Sequence, residues 1–252
     1  MKNIKLLSLI GIAFLSTQAF ADDPIKPVTK QLNLVKQSQH TENTQTHTVI
    51  DANFPLFNGT LDPASQQFNQ TVVDLINKEI NAFKKDAVEF NEMSKNGSPA
   101  IDLNSSLNIE YFTNTVQANN RTLISVRFSI NQYLLGAAHP NESYRVLNYT
   151  LSTGKILTLA DLFAPGSSYE KTLTSYCLKI LSTRLKRPTS EIRPMMEFNN
   201  WNIRPDGLLF SFDQFPNAMA DQTVIVPYAA IQSILAKNSD IYVCAINVGS
   251  CT

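Results

Sequence analysis

The stretch LNSSLNIEYFTNTVQANNRTLISVRFSINQYL, residues 103–134, carries the strongest indication of the fold class. It is rich in Ile, Val, Phe, Tyr and Thr, and its apolar residues follow the period of two that is typical of β-strands. Asn119 and Asn120 supply turn residues near the middle of the stretch. The sequence therefore predicts two antiparallel strands, over 103–116 and 123–134.

A helix is predicted before this hairpin. Asp62 and Pro63 provide an N-cap and a first-turn proline, and the helix is expected to continue to about Ser94. A strand is expected before it, over 48–55. Apolar residues recur along the helix at steps of three and four, which predicts one buried face: Phe68, Val72, Leu75, Ile76, Ile80, Phe83, Ala87 and Phe90.

The elements after the hairpin complete the fold class. We expect a third strand over 144–151, a second long helix over 169–185 and a strand hairpin around 204–207. A short strand over 223–226 and a closing helix over 227–236 follow. Together these elements predict an α+β fold: an antiparallel sheet with two long helices packed on one face and a short C-terminal helix.

The N-terminus has the features of a secretory signal peptide. Lys2 and Lys5 precede an apolar core over 6–15, and Ala19 and Ala21 match the small residues that signal peptidase reads. The core is too short to span a bilayer. We therefore predict a signal peptide over 1–21, cleaved after Ala21, and a mature protein that is periplasmic or secreted and has no transmembrane anchor.

Composition excludes some partners. The chain has 21 Lys+Arg and 21 Asp+Glu residues among 252, and removal of Lys2 and Lys5 with the signal peptide leaves a formal charge of −2. A nucleic-acid partner is not expected, because phosphate binding requires an excess of clustered basic residues.

The sequence gives no sign of a catalytic or metal centre. The CxxC and HExxH patterns are absent, as are the GxSxG elbow and the phosphate-binding loops. No cofactor and no catalytic residue are predicted. Five carboxylates are expected to be solvated surface charges: Glu110, Glu142, Asp206, Asp213 and Asp221.

Two groups of motifs resemble known families. Residues 54–59 and the helical segment 76–80 resemble the DUF4163 module. Residues 136–141 and 153–163, with the closing segments 205–212 and 224–228, resemble the DUF3298 module. Such tandem modules are similar to the extracellular part of a lysozyme-sensing anti-sigma factor and to the accessory region of some peptidoglycan deacetylases. The resemblance implies a noncatalytic domain of the cell envelope.

The resemblance also divides the chain. We expect a flexible leader over 22–45, a DUF4163-like module over 46–135, a DUF3298-like module over 136–237 and a C-terminal tail over 238–252. The two modules are expected to form one compact unit. Leu32, Leu34 and Val35 leave open a short strand within the leader.

The predicted function is that of an exported noncatalytic binding module that recognises a lysozyme-like protein or a cell-wall glycan such as peptidoglycan. The alternative is an envelope glycan hydrolase that uses spatially paired carboxylates. The candidate partner-binding residues are His139, Asn141, Phe215 and Met219. A role in fixing its loop is favoured for His139, and burial under the fold is favoured for Phe215 and Met219.

Three cysteines allow three disulfide pairings. Cys177 lies on the apolar face of the second long helix, where a free cysteine behaves as a small hydrophobic residue. Gly249 gives the chain room to turn back between Cys244 and Cys251. We predict a Cys244–Cys251 disulfide; a reduced tail, or a bond from Cys251 to a second molecule, is the alternative.

Overall fold

The computed structural model describes residues 32–94, 104–118, 120–213, 215, 222–247 and 251. The predicted signal peptide, and the part of the predicted leader that precedes residue 32, lie outside these ranges. From Asn33 onward the described residues form one compact unit. Within the described ranges, no helix is both long enough and apolar enough to cross a membrane.

A six-stranded sheet forms the larger part of the fold. Its strands follow chain order, and all neighbours are antiparallel except β2 and β3. Helix α1, Pro63–Ser94, connects this parallel pair. The strands are β1 Leu34–Asn43, β2 Thr48–Phe57, β3 Ser105–Ala118, β4 Arg121–Tyr133, β5 Asn141–Thr150 and β6 Lys155–Ile156. The predicted α+β class is confirmed.

Helix α1 begins where the sequence predicts and packs on one face of this sheet. The Asp62 carboxylate accepts a hydrogen bond from the backbone N–H of Ser65 at 2.8 Å, as an N-cap does. The predicted apolar face is buried from Phe68 to Ala87 except for Leu75, which is half-buried, and Phe90 is 37% exposed. The buried contact of the helix with the sheet therefore ends about one turn earlier than the periodicity predicts.

The C-terminal part of the chain forms a second, smaller layer. Strands β7 to β9 make an antiparallel sheet in chain order. Helix α2 contributes Leu173, Cys177 and Leu181 to the apolar cluster of this layer. The expected packing of both long helices on one sheet is therefore only approximate. The elements are α2 Tyr169–Leu185, α3 Thr189–Ile192, β7 Trp201–Arg204, β8 Gly207–Ser211, β9 Thr223–Pro227, α4 Tyr228–Ile231 and α5 Tyr242–Ile246.

Strand β7 lies on the larger sheet, on the face opposite α1, and contacts β3, β4 and β5. Residues 123–126 of β4 are consequently buried on both faces. β4 and β5 are paired over ten residues, so the expected module boundary at 135/136 falls between two paired strands.

The flexible leader predicted over 22–45 is wrong for residues 34–43. These residues form β1, which pairs with β2 along its whole length, from Leu34 opposite Phe57 to Asn43 opposite Thr48. Most β1 side chains are exposed on both faces, so the segment has no apolar period, and its strand conformation comes from backbone pairing.

The cysteines adopt the predicted arrangement. Cys244 and Cys251 form a disulfide with a Cα–Cα distance of 5.3 Å, and Cys177 is the free, buried cysteine. Burial raises the pKa of the Cys177 thiol to about 12, so this side chain stays a neutral thiol in the core.

Candidate functional site: the open face of the sheet

The sheet face opposite α1 is covered at one end only. Under β7, Ser125 and Asn148 are buried. Toward the other end, polar and aromatic side chains of β2 to β5 on the same face are exposed or half-buried. We call this surface the open face and define it by Asp51, Asn53, Asn108, Glu110, Phe112, Ser129, Asn131, Glu142 and Tyr144.

Strand register places these residues on one surface. Glu110, Ser129 and Tyr144 lie side by side across β3, β4 and β5. Asn108, Asn131 and Glu142 form the next row, and Asp51 of β2 pairs with Asn108. Because side chains alternate between the faces of a sheet, all of them point away from α1.

Side chains of the open face donate hydrogen bonds to the carboxylates of Glu110 and Glu142. Asn53 Nδ2 donates to Glu110 Oε1 at 2.7 Å. Ser129 Oγ and the Tyr144 hydroxyl both donate to Glu142 Oε1, at 3.0 and 3.2 Å. Within the described residues, neither glutamate is within 4.0 Å of a Lys, Arg or His nitrogen. These two carboxylates of the open face therefore have no ion-pair partner in the described part of the chain.

Tyr144 remains a hydrogen-bond donor over the whole physiological range. Burial, together with the charge of Glu142, raises its pKa to about 12. The guanidinium carbon of Arg127 lies 5.5 Å from the centre of the Tyr144 ring. Arg127 Nη1 also donates to Ser211 Oγ at 3.2 Å, so Arg127 marks the boundary between the open face and the layer of β7 and β8.

Phe112 is the aromatic residue that the open face exposes most. Its side chain is 52% exposed, and it lies opposite Arg127 in the register of β3 and β4. An exposed ring among amide and carboxylate groups can stack on a sugar ring or pack on an apolar side chain of a protein partner.

The predicted binding residues divide into three groups. His139 and Asn141 are exposed, and they border the open face because Asn141 directly precedes Glu142. His139 Nδ1 lies 2.9 Å from the carbonyl oxygen of Pro140. Phe215 is 3% exposed and packs edge-to-face on Phe212 at 5.9 Å, which is the burial that the sequence favours for it. Met219 lies outside the described residues.

The sequence does not predict the open face itself. Glu110 and Glu142 are surface residues as expected, but they are gathered on one face with Phe112 and Tyr144. Asn108 and Glu110 alternate with apolar neighbours along β3, and this pattern indicates that both residues lie on the polar face of the strand. Only the strand register shows that β3, β4 and β5 place their polar residues side by side.

The chemistry of the open face suits noncovalent recognition. It offers carboxylate and amide oxygens, amide N–H donors, one phenolic donor and one exposed ring. Across the described ranges, no three His, Cys, Asp or Glu residues are grouped so that they could hold a metal ion.

Two family models match different parts of the chain. Residues 40–142 match the model described as "Deacetylase PdaC", and residues 160–230 match the model described as "Protein of unknown function (DUF3298)". The DUF3298 resemblance of the C-terminal module is thus confirmed. The DUF4163 and anti-sigma factor resemblances stay predictions. No curated protein matches the chain.

Solved structures of DUF3298 proteins share the fold. A DUF3298 family member from Bacteroides fragilis NCTC 9343 has a TM-score of 0.60 at 20% identity, over 86% of this chain and 99% of that one. A DUF3298 family protein from Pseudomonas aeruginosa PAO1 has a TM-score of 0.53 at 14% identity, over 81% of this chain and 95% of that one.

Proposed function

We propose that the protein is an exported, noncatalytic binding module of the cell envelope, whose open face recognises a lysozyme-like protein or a cell-wall glycan. The observation that carries this proposal is the uncovered sheet face with two glutamates that have no cationic partner among the described residues and an exposed aromatic ring. The N-terminal sequence, with its signal-peptide pattern, and the matches to the PdaC and DUF3298 models support an envelope location.

The charge of the open face favours a basic protein partner. Lysozyme is a basic protein, and opposite charges on two surfaces accelerate association and orient the partners. Glu110 and Glu142 lie on strands to either side of β4, so their negative charges cover one continuous area. The amide groups and Phe112 provide the contacts that a glycan would need instead.

In this proposal the carboxylates of the open face serve binding and not acid–base chemistry. Glu142 accepts two hydrogen bonds, from Ser129 and Tyr144, so its Oε1 serves as a hydrogen-bond acceptor. A glycoside hydrolase needs one carboxyl group that remains protonated until it donates its proton. This contrast is the reason to place the hydrolase second.

The test uses the mature chain and two immobilised partners, lysozyme and purified peptidoglycan. We expect Glu110→Gln/Glu142→Gln to weaken lysozyme binding at least tenfold and to reduce its salt dependence, because the charge is lost while the hydrogen-bond acceptors stay. Phe112→Ala is expected to reduce retention on the glycan most. The matched control is Glu89→Gln/Glu191→Gln, which removes two exposed glutamates that lie on α1 and α3.

The outcomes separate the alternatives. Equal losses in the control and open-face variants would show that binding follows net charge and not the open face. No retention of the wild-type chain on either partner would overturn the proposal. Release of soluble fragments from peptidoglycan by the wild-type chain, abolished in Glu110→Gln/Glu142→Gln, would establish the hydrolase instead.

A further inference from the structure

A groove of about 480 Å³ lies beside helix α2, and none of the residues that line it belongs to the open face. One wall is α2, and the other is the single helical turn Arg193–Met195 that follows α3. Lys171 and Arg193 bring one positive charge from each wall. The lining residues are Glu170, Lys171, Thr174, Ser175, Leu178 and Arg193.

The segment that forms this groove is the most basic part of a neutral chain. Residues 169–193 contain three lysines, three arginines and two glutamates, which is a net charge of +4. The whole chain has equal numbers of basic and acidic residues. Such an asymmetry indicates an anionic partner for the segment.

Not every cation in this segment is available to a ligand. Arg184 Nη1 donates to the carbonyl oxygen of Thr223 at 2.6 Å. Arg187 Nη1 forms an ion pair with Glu191 at 3.1 Å. In contrast, Lys171 and Arg193 form no ion pair within the described ranges. The two cations that line the groove are therefore not engaged by a carboxylate of the described residues and are available to a ligand.

We propose that this groove binds a phosphate group, either as free phosphate or as the headgroup of an anionic lipid. A guanidinium matches two phosphate oxygens with parallel N–H donors, and a lysine adds a point charge. The Thr174 hydroxyl, which donates no hydrogen bond within the described part of the chain, supplies a further donor at the groove. Lys171 also lies in the first turn of α2, where the helix dipole favours anions.

Glu170 opposes the ligand charge and tunes the affinity. It is the single carboxylate among the lining residues, so its removal raises the net charge of the groove from +1 to +2. The groove therefore provides both a variant that should weaken binding and one that should strengthen it.

The experiment follows backbone amide NMR shifts of the full mature chain during titration with inorganic phosphate. A second arm measures co-sedimentation with vesicles of phosphatidylcholine containing 30% phosphatidylglycerol, against pure phosphatidylcholine vesicles. We expect saturable shifts at residues 170–178 and 193. Lys171→Gln/Arg193→Gln should weaken binding at least tenfold, and Glu170→Gln should strengthen it about threefold.

The matched control is Lys179→Gln/Lys186→Gln, which removes two exposed charges of the same segment that do not line the groove. A loss limited to the groove double variant supports the site. If the groove double variant also loses binding to the phosphatidylglycerol vesicles, the ligand is a lipid headgroup. If the wild-type chain binds inorganic phosphate but not the vesicles, the ligand is a soluble phosphate. Equal losses in both double variants, or no saturable shift in the wild-type chain, would overturn the proposal.

Discussion

The two ends of one sheet face use polar side chains in opposite ways. At the covered end, Ser125 Oγ donates to Asn148 Oδ1 at 2.6 Å and accepts from Asn202 Nδ2 and the Ile203 N–H, each at 2.9 Å. Asn148 Nδ2 donates to the carbonyl oxygen of Trp201 at 2.8 Å. These bonds attach β7 to the sheet. At the open end, comparable side chains bond only to their neighbours and leave a free surface.

Burial therefore determines the role of a polar strand residue on this face. A buried polar group must be hydrogen-bonded, because leaving it unpaired costs free energy. At the covered end the polar groups therefore fix the position of a second layer. At the open end water can satisfy them, so they remain available to a partner. Mutations at the two ends should consequently separate stability from binding.

Gly207→Ala tests the covering layer and should have the largest effect. A Cβ at this position would lie 2.3 Å from the carbonyl oxygen of Val226, so the backbones of β8 and β9 would have to separate. We expect a loss of about 4 kcal/mol in the free energy of unfolding, since an atomic overlap between backbones cannot be relieved by a side-chain rotation. Urea denaturation followed by circular dichroism measures it.

The control for that variant is Gly166→Ala. No atom lies within 4 Å of a Cβ there, although φ is +75°, so the cost should be about 1 kcal/mol from the backbone conformation alone. Equal losses in the two variants would mean that the contact between β8 and β9 is not tight.

Asn148→Ala tests the attachment of β7 directly. The variant leaves the Trp201 carbonyl and the Ser125 hydroxyl without their partner inside the core, and we expect a loss of about 3 kcal/mol in unfolding free energy. Asn131→Ala on the exposed end of the same face should change it by less than about 0.5 kcal/mol. If both variants cost the same, the distinction between the two ends fails. Urea denaturation of both proteins decides it.

Cys251→Ser tests how much the Cys244–Cys251 disulfide, near the covered end of the sheet face, stabilises the fold. Asp240 accepts a hydrogen bond from the buried Thr150 hydroxyl at 2.7 Å and pairs with Arg121, and the disulfide follows a few residues later. Closing so short a loop should contribute about 2 kcal/mol in the chain-entropy model. The thermal midpoint of the variant should match that of the reduced wild-type protein. A variant as stable as the oxidised wild type would contradict this.

The sequence predicts those helices and strands that are set by the spacing of apolar residues within a short segment. The bounds of α1 and α2 and the β3–β4 hairpin follow from patterns within short segments. The pairing of Cys244 with Cys251 follows from their short separation. For β1 the sequence leaves open only a short strand at Leu32, Leu34 and Val35; it does not predict the full strand, because most β1 side chains are exposed on both faces and no apolar alternation marks it.

The open face could not be predicted, because it depends on where β7 lies. Alternation along β3 and β4 shows which residues share a face, but not whether that face is covered. The bond from Asn202 to Ser125 joins residues 77 positions apart, and no local pattern encodes such a contact. The same limit explains why Phe215 could be read either as buried or as offered to a partner.

The smallest expected effect lies on β1, at the edge of the open face. His40 Nδ1 is 2.7 Å from Asp51 Oδ1 across the β1–β2 pair. The hydrogen bond and the charge of Asp51 raise the pKa of His40 above its usual 6.5, with a smaller contribution from Glu42. A raised folded-state pKa means that the pair stabilises the fold below the unfolded-state pKa of about 6.5, and that this stabilisation is lost as pH rises through the folded-state pKa.

Asp51→Asn should therefore lower the pKa of His40, because the charge of Asp51 is lost and a hydrogen bond to a neutral amide oxygen favours the protonated ring less than one to a carboxylate. An NMR titration of the His40 ring protons measures the shift. Glu42→Gln is the matched control and should lower the pKa less, since Glu42 acts through charge alone. Both groups of the pair are more than half exposed, so solvent screens the interaction and unfolding free energies should barely change. An unchanged His40 pKa in Asp51→Asn would show that His40 of β1 does not contact Asp51 of β2. The open face would then end at β2.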